Sequence, residues 1–278
     1  MNLDLNGRAI YEIAKLEFVR VLTHPLTVIV CLIVLVIAFL CSAGGAGNLR
    51  KLEAWGTHTE DVFFTGFCNS LAAISMICMM ISIFLSATVI PYERWKSSLN
   101  VILTKPLYRR DFVVGKFLGL AIFMLLFNTF TLLILSLLLI AFFRGPLSDL
   151  ELLWRLTAYI LVLTLACSLV IALNMLFSLI SKNILFVTAI SVIYLFFDWI
   201  WYNDRILGND LLSLISPMNL YYKCIKSINV SYIPALFNTT IPIGTWFSAA
   251  LPFLALLIIE IFALLLLETF LFSREDTA

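Results

Sequence analysis

The chain has 278 residues, 62 % hydrophobic and 13 % charged, with mean hydropathy +1.06 and formal net charge +1. A soluble domain carries about 25 % charged residues, so that class is excluded, and the near-neutral balance gives nucleic acid no cationic surface to bind. The matching solvent is a lipid bilayer, and the long continuous apolar runs exclude a β-barrel; an all-α integral membrane protein is expected.

The first 25 residues contain "GRAIYEIAKLEFVRVLTHP", in which Ile10, Ile13, Ala14, Phe18 and Val21 recur at helical spacing among charges. This predicts an N-terminal amphipathic helix along the inner membrane surface, ended near Pro25, with the transmembrane domain occupying 26–278. Six later segments approach the roughly 20 apolar residues a span needs. They are Leu26 to Ala43, Leu71 to Ile90, Phe117 to Phe143, Leu153 to Ile180, Ile184 to Tyr202 and Ser248 to Phe272. The Leu, Ile, Val and Phe residues of the first favour insertion by very roughly 4–7 kcal/mol. A long polar segment precedes it, which a cleaved signal peptide would not have.

Between the fifth and sixth spans, 203–247 contains "LLSLISPMNLYYKCI" and "YIPALFNTTIPIGTW", apolar but too short to cross and broken by Pro217, Pro234 and Pro242. Re-entrant or interfacial helices over an outer mouth are expected here. Asn229 and Asn238 head acceptor sequons for glycosylation. Six spans place both termini on one side. Basic residues crowd that side, which puts the termini in the cytoplasm of a multi-pass plasma-membrane protein.

The densest positive charge lies in "YERWKSSLNVILTKPLYRRDFVVGKFLG", Tyr92 to Gly119, between the second and third spans. Trp95, Leu99, Ile102 and Leu103 fall on one helical face, and Pro106 ends the pattern. Such a helix, predicted over about 92–106, suits either anionic headgroups or a groove on a partner protein.

Glu93, Ser98, Leu99, Leu103, Thr104, Pro106, Leu107, Arg109, Gly115 and Lys116 resemble the pattern between spans two and three of ABC-2 type permeases. These are the membrane subunits of one class of ATP-binding-cassette exporters; Ser97 stands where they usually carry Gly. The resemblance implies that 92–106 is the coupling helix, docked on a separate cytoplasmic ATPase. Trp95, Leu99, Ile102 and Leu103 would then fill the ATPase groove, and Glu93, Arg94, Arg109 and Arg110 would set register. It also implies a second permease chain, identical or paralogous, and a path lined by spans two and five.

The chain itself is no ATPase. The Gly115-Lys116 pair is followed by Phe117 and lacks the earlier glycine of a phosphate loop, so ATP and magnesium belong to the partner. Glu260, mid-way along the last span, is a candidate pathway or proton site, with Glu268 nearer the inner end. Met76, Cys78, Met79 and Met80 read either as soft copper ligands or, more simply, as packing residues. His24 and His58 stand apart, and Cys41, Cys68 and Cys224 leave one outer disulfide conceivable. Competing readings are a secondary carrier working without an ATPase, which would use groups such as Glu260, and an intramembrane enzyme. No metalloprotease or serine-hydrolase motif supports the latter.

Overall fold

The computed structural model describes residues 7–54, 62–91, 109–142, 145–146, 148–181, 183–203, 216–228 and 234–274. Among them there are helices and no strand. The main helices are α1 (Gly7–Leu22), α2 (Pro25–Ala54), α3 (Val62–Ala87), α4 (Arg109–Phe142), α5 (Asp149–Ile180), α6 (Ile184–Asn203), α7 (Pro217–Ile225) and α8 (Ile243–Arg274). A short 3₁₀ turn, Ala235–Phe237, precedes α8.

By length and composition, α2, α3, α4, α5 and α8 can each cross a membrane. The fifth expected span corresponds to α6, whose apolar part, Ile184–Asp198, is shorter. Boundaries follow local chemistry. Ser148 caps α5 by accepting from the Glu151 amide at 3.4 Å, and Asp149 and Glu151 place negative charge in its first turn. Helix α1 stops at Leu22, and Pro25 starts α2, where its fixed φ and missing N–H suit a first turn. Helix α2 runs on to Ala54, well past Ala43 and through the helix-weakening Gly44, Gly45 and Gly47.

Helix α5 is the hub, packing against α3, α4, α6, α7, α8 and the 3₁₀ turn. Its faces carry buried Tyr159, Leu163, Ala166, Ile171 and Met175. Helices α2 and α8 lie at the rim; only 17 % of the spanning stretch of α8 is buried, and Ile258, Ile259, Phe262 and Leu266 point outward. An apolar outward face is what lipid accepts. Several polar side chains inside the bundle are paired with neighbours. The Asn128 amide donates to Thr164 Oγ1 at 3.2 Å, joining α4 to α5, and Ser82 and Ser86 return their hydroxyls to carbonyls one turn back.

Candidate functional site

Three parts of the molecule bear on function: the end where α4 begins, expected from the charge pattern to be the inner one; a polar knot between α3, α5 and α6; and the opposite end, where α7 packs.

At the inner end, α1 lies along α4 with its register advancing in the same direction. The notch that admits it is the sequence Gly115-x-x-x-Gly119. A methyl group at Gly115 would sit 2.8 Å from Ile13 Cβ, and one at Gly119 would sit 2.7 Å from the Ala14 carbonyl oxygen. One turn further, Phe18 meets Phe123 with ring centroids 6.4 Å apart. Between the glycines, Lys116 Nζ reaches Glu17 Oε2 at 2.6 Å, and Arg20 Nη2 approaches the other oxygen at 2.9 Å. Glu17 and Lys116 are both buried, with the ammonium 5.3 Å from the Phe112 ring. Phe112 also stacks on Phe272, which brings the end of α8 to the same place.

The apolar stripe of α1, read from sequence as facing the membrane surface, therefore faces α4. Ala14 and Val21 are buried, while Tyr11, Leu16, Val19 and Leu22 are exposed. Lys116 was grouped with the loop cations, yet it is an interior ion-pair partner. Periodicity identified the stripe and gave no indication of which surface covers it. The Gly-x-x-x-Gly spacing was the signal that could have.

Of the residues assigned to docking, Glu93, Arg94, Trp95, Leu99, Ile102 and Leu103 lie outside the described residues. Arg109 and Arg110 open α4, followed by buried Asp111 in its first turn, the end of a helix that favours negative charge.

In mid-bundle, Asn174 of α5 ties two neighbours together. Its Nδ2 donates to the Ile83 carbonyl at 2.7 Å and to Ser86 Oγ at 2.8 Å on α3, and its Oδ1 accepts from Ser191 of α6 at 2.5 Å. A cleft between α3, α5 and α6 is lined by Ile83, Asn174, Ser191, Tyr194 and Pro217. This brings spans two and five together. Glu260 is half-buried on α8 and does not line this cleft. Glu268 is fully buried, and neither carboxyl oxygen has a hydrogen-bond partner among the described residues. Cys78 and Met79 are interior packing residues, with Met76 and Met80 against the same core. All six cysteines are free, and Cys224 is buried.

At the opposite end, the short apolar stretches expected to be re-entrant or interfacial form α7 and the 3₁₀ turn. The first packs on α5, α6 and α8 and the second on α3, α5 and α8, making a lid of short elements, the cap. Arg155 of α5, fully buried, donates through Nη1 to the Leu236 carbonyl at 2.5 Å and through Nη2 to that of Ile241 at 2.9 Å. Glu151, one turn earlier, accepts from Arg155 Nη2 at 2.5 Å. Asp198, at the end of the apolar run of α6, holds the start of α7. It accepts from the Ser216 hydroxyl, from the Met218 amide at 2.8 Å and from Asn219 Nδ2 at 2.8 Å. Tyr159 and Tyr221 share a hydrogen bond of 2.6 Å, and Trp246 Nε1 donates to the Cys224 carbonyl at 3.0 Å. Burial pushes the Cys224 thiol up to about 12. Arg155 and Asp198 are both fasteners of this end of the bundle.

No curated protein matches the chain. A family model described as ABC-2 family transporter protein matches residues 11–277, and so takes in the packed α1, the bundle and the cap alike. With its several membrane-crossing helices and a match over nearly its full length, the chain belongs to the ABC-2 family of transporter proteins and is the permease subunit of an ABC transporter.

Proposed function

We propose that this permease is the membrane half of an ATP-driven exporter in the plasma membrane, engaged by a separate ATPase through 92–106. Members of the family generally work with a cytoplasmic ABC ATPase, and the family match carries this reading because it includes that segment. Trp95, Leu99, Ile102 and Leu103 fill a groove on the ATPase, while Glu93, Arg94, Arg109 and Arg110 fix the orientation of docking. ATP and magnesium bind the partner. A second permease chain completes the transporter, and the path runs beside α3 and α6, with Glu260 a possible group on its approach. The contact of α3 with α6 around Asn174 supports that placement. The chain crosses the membrane six times, α6 included.

The test is retention of the co-expressed ATPase by the purified permease. Trp95→Ala and Leu99→Asp each remove a hot-spot contact worth about 2 kcal/mol or more, a loss of at least about thirtyfold in affinity. The expected outcome is lost retention and ATP hydrolysis uncoupled from transport, with melting unchanged. If both variants hold the ATPase like the parent, docking lies elsewhere.

A further inference from the structure

The chain enters 92–106 from α3 and leaves it into α4, and the two arms differ in build. On the α3 side the helix stops at Ala87, turns at Thr88 and is helical again at 89–91, the last described residues of that arm. On the other side α4 runs 34 residues from Arg109 without a break, and α1 is fitted along its first turns. Two features fix that fit. The glycine notch admits backbone at a single register, since sliding α1 by one residue would drive Ile13 or Ala14 against neighbouring side chains of α4. The Lys116–Glu17 pair adds an electrostatic tie. Sliding the helices while they stay packed would leave a carboxylate and an ammonium buried without each other. Arg20 stays beside Glu17 on the same helix, so its charge does not replace the contact with α4.

We infer that α1 and the inner end of α4 move as one body relative to α3, and that Lys116 and Glu17 are positioning residues which make α1 follow the motion that 92–106 passes into α4. This rests on the proposed docking of an ATPase. Asp111, on the same face of α4 one turn before Gly115, is buried there as well, so the charged groups packed in this joint are Asp111, Lys116, Glu17 and Arg20. The partition is testable because α1, α3 and α4 each offer an outward residue near the inner half: Leu16, Phe84 and Leu118.

The experiment uses the permease–ATPase complex in lipid nanodiscs, carrying spin labels attached through non-natural amino acids so that the native cysteines remain. Distances between Leu16 and Leu118 and between Phe84 and Leu118 are measured without nucleotide and with ATP–magnesium trapped by vanadate. The expected result is a fixed Leu16–Leu118 distance and a Phe84–Leu118 distance that shifts by several ångströms. A Leu16–Leu118 distance that shifts as far overturns the inference and leaves the docking reading intact. No nucleotide-dependent change in either pair overturns both. Lys116→Gln and Glu17→Gln should let the Leu16–Leu118 distance change with nucleotide while the ATPase remains bound and hydrolyses ATP, and Lys116→Arg should restore the fixed distance. A Leu16–Leu118 distance that stays fixed in folded Lys116→Gln and Glu17→Gln protein also defeats the assignment of these residues.

Discussion

Arg155 carries a permanent charge into a site with no exposure, and the structure satisfies it with one carboxylate and two backbone carbonyls. Arginine suits the position because its planar fork donates in several fixed directions at once, which a lysine ammonium on a flexible stem does not. Arg155→Ala should cost about 3–5 kcal/mol, since Glu151 and the carbonyls of Leu236 and Ile241 lose their donor. Arg155→Lys should recover only part of that loss. Thermal melting of the purified protein measures the cost, and protease cleavage around 234–242 reports the loosened cap. Little of this was legible in the sequence. A charge near a span end looks the same whether it faces water or folds back onto a segment 81 positions away. Glu17 and Lys116, 99 positions apart, were hidden for the same reason.

At the scale of elements, the sequence read well where one helix is sufficient to explain the pattern. The apolar runs located α2 to α6 and α8, and the ends at Ile180 and Ile184 agree with the structure because Ser181 to Asn183 break the run. The short segments around Pro217 and Pro234 form a nine-residue helix and a 3₁₀ turn that pack on the longer helices. Reading failed where two helices must be known together. The stripe on α1 is sound, but its partner is α4, and the close approach needs hydrogen side chains at both Gly115 and Gly119. Gly119→Leu should force α1 off α4 and cost about 1–3 kcal/mol or more through overpacking. Its signature would be a lowered melting temperature together with labelling of a cysteine placed at Ala14, a position now 7 % exposed. If Gly119→Leu melts like the parent and position 14 stays protected, the helices are not in contact there.

For the whole molecule, composition alone set the class, and the bundle around α5 follows from the demand that polar backbone be satisfied inside lipid. The proposed crossing count depends on α6, the shortest of the apolar helices that reach across the bundle. If α6 crosses, split reporters fused to the two ends should both complement on the cytoplasmic side. Signal from one end alone would mean an odd number of crossings. The proposed docking segment, 92–106, lies outside the described residues, and the first turns of α4 that follow it are braced by α1.

A helix of 34 residues is about 51 Å long, whereas the hydrocarbon layer is about 30 Å thick. Roughly 20 Å of α4 must therefore stand clear of the oily layer, and the end bearing Arg109, Arg110 and Asp111 is the one chemically fitted to do so. On the proposed docking, a partner that reaches Arg109 and Arg110 meets them in water, beyond the acyl tails. Added salt should then slow its encounter with this charged end and leave the apolar grip of Trp95 and Leu99 largely intact.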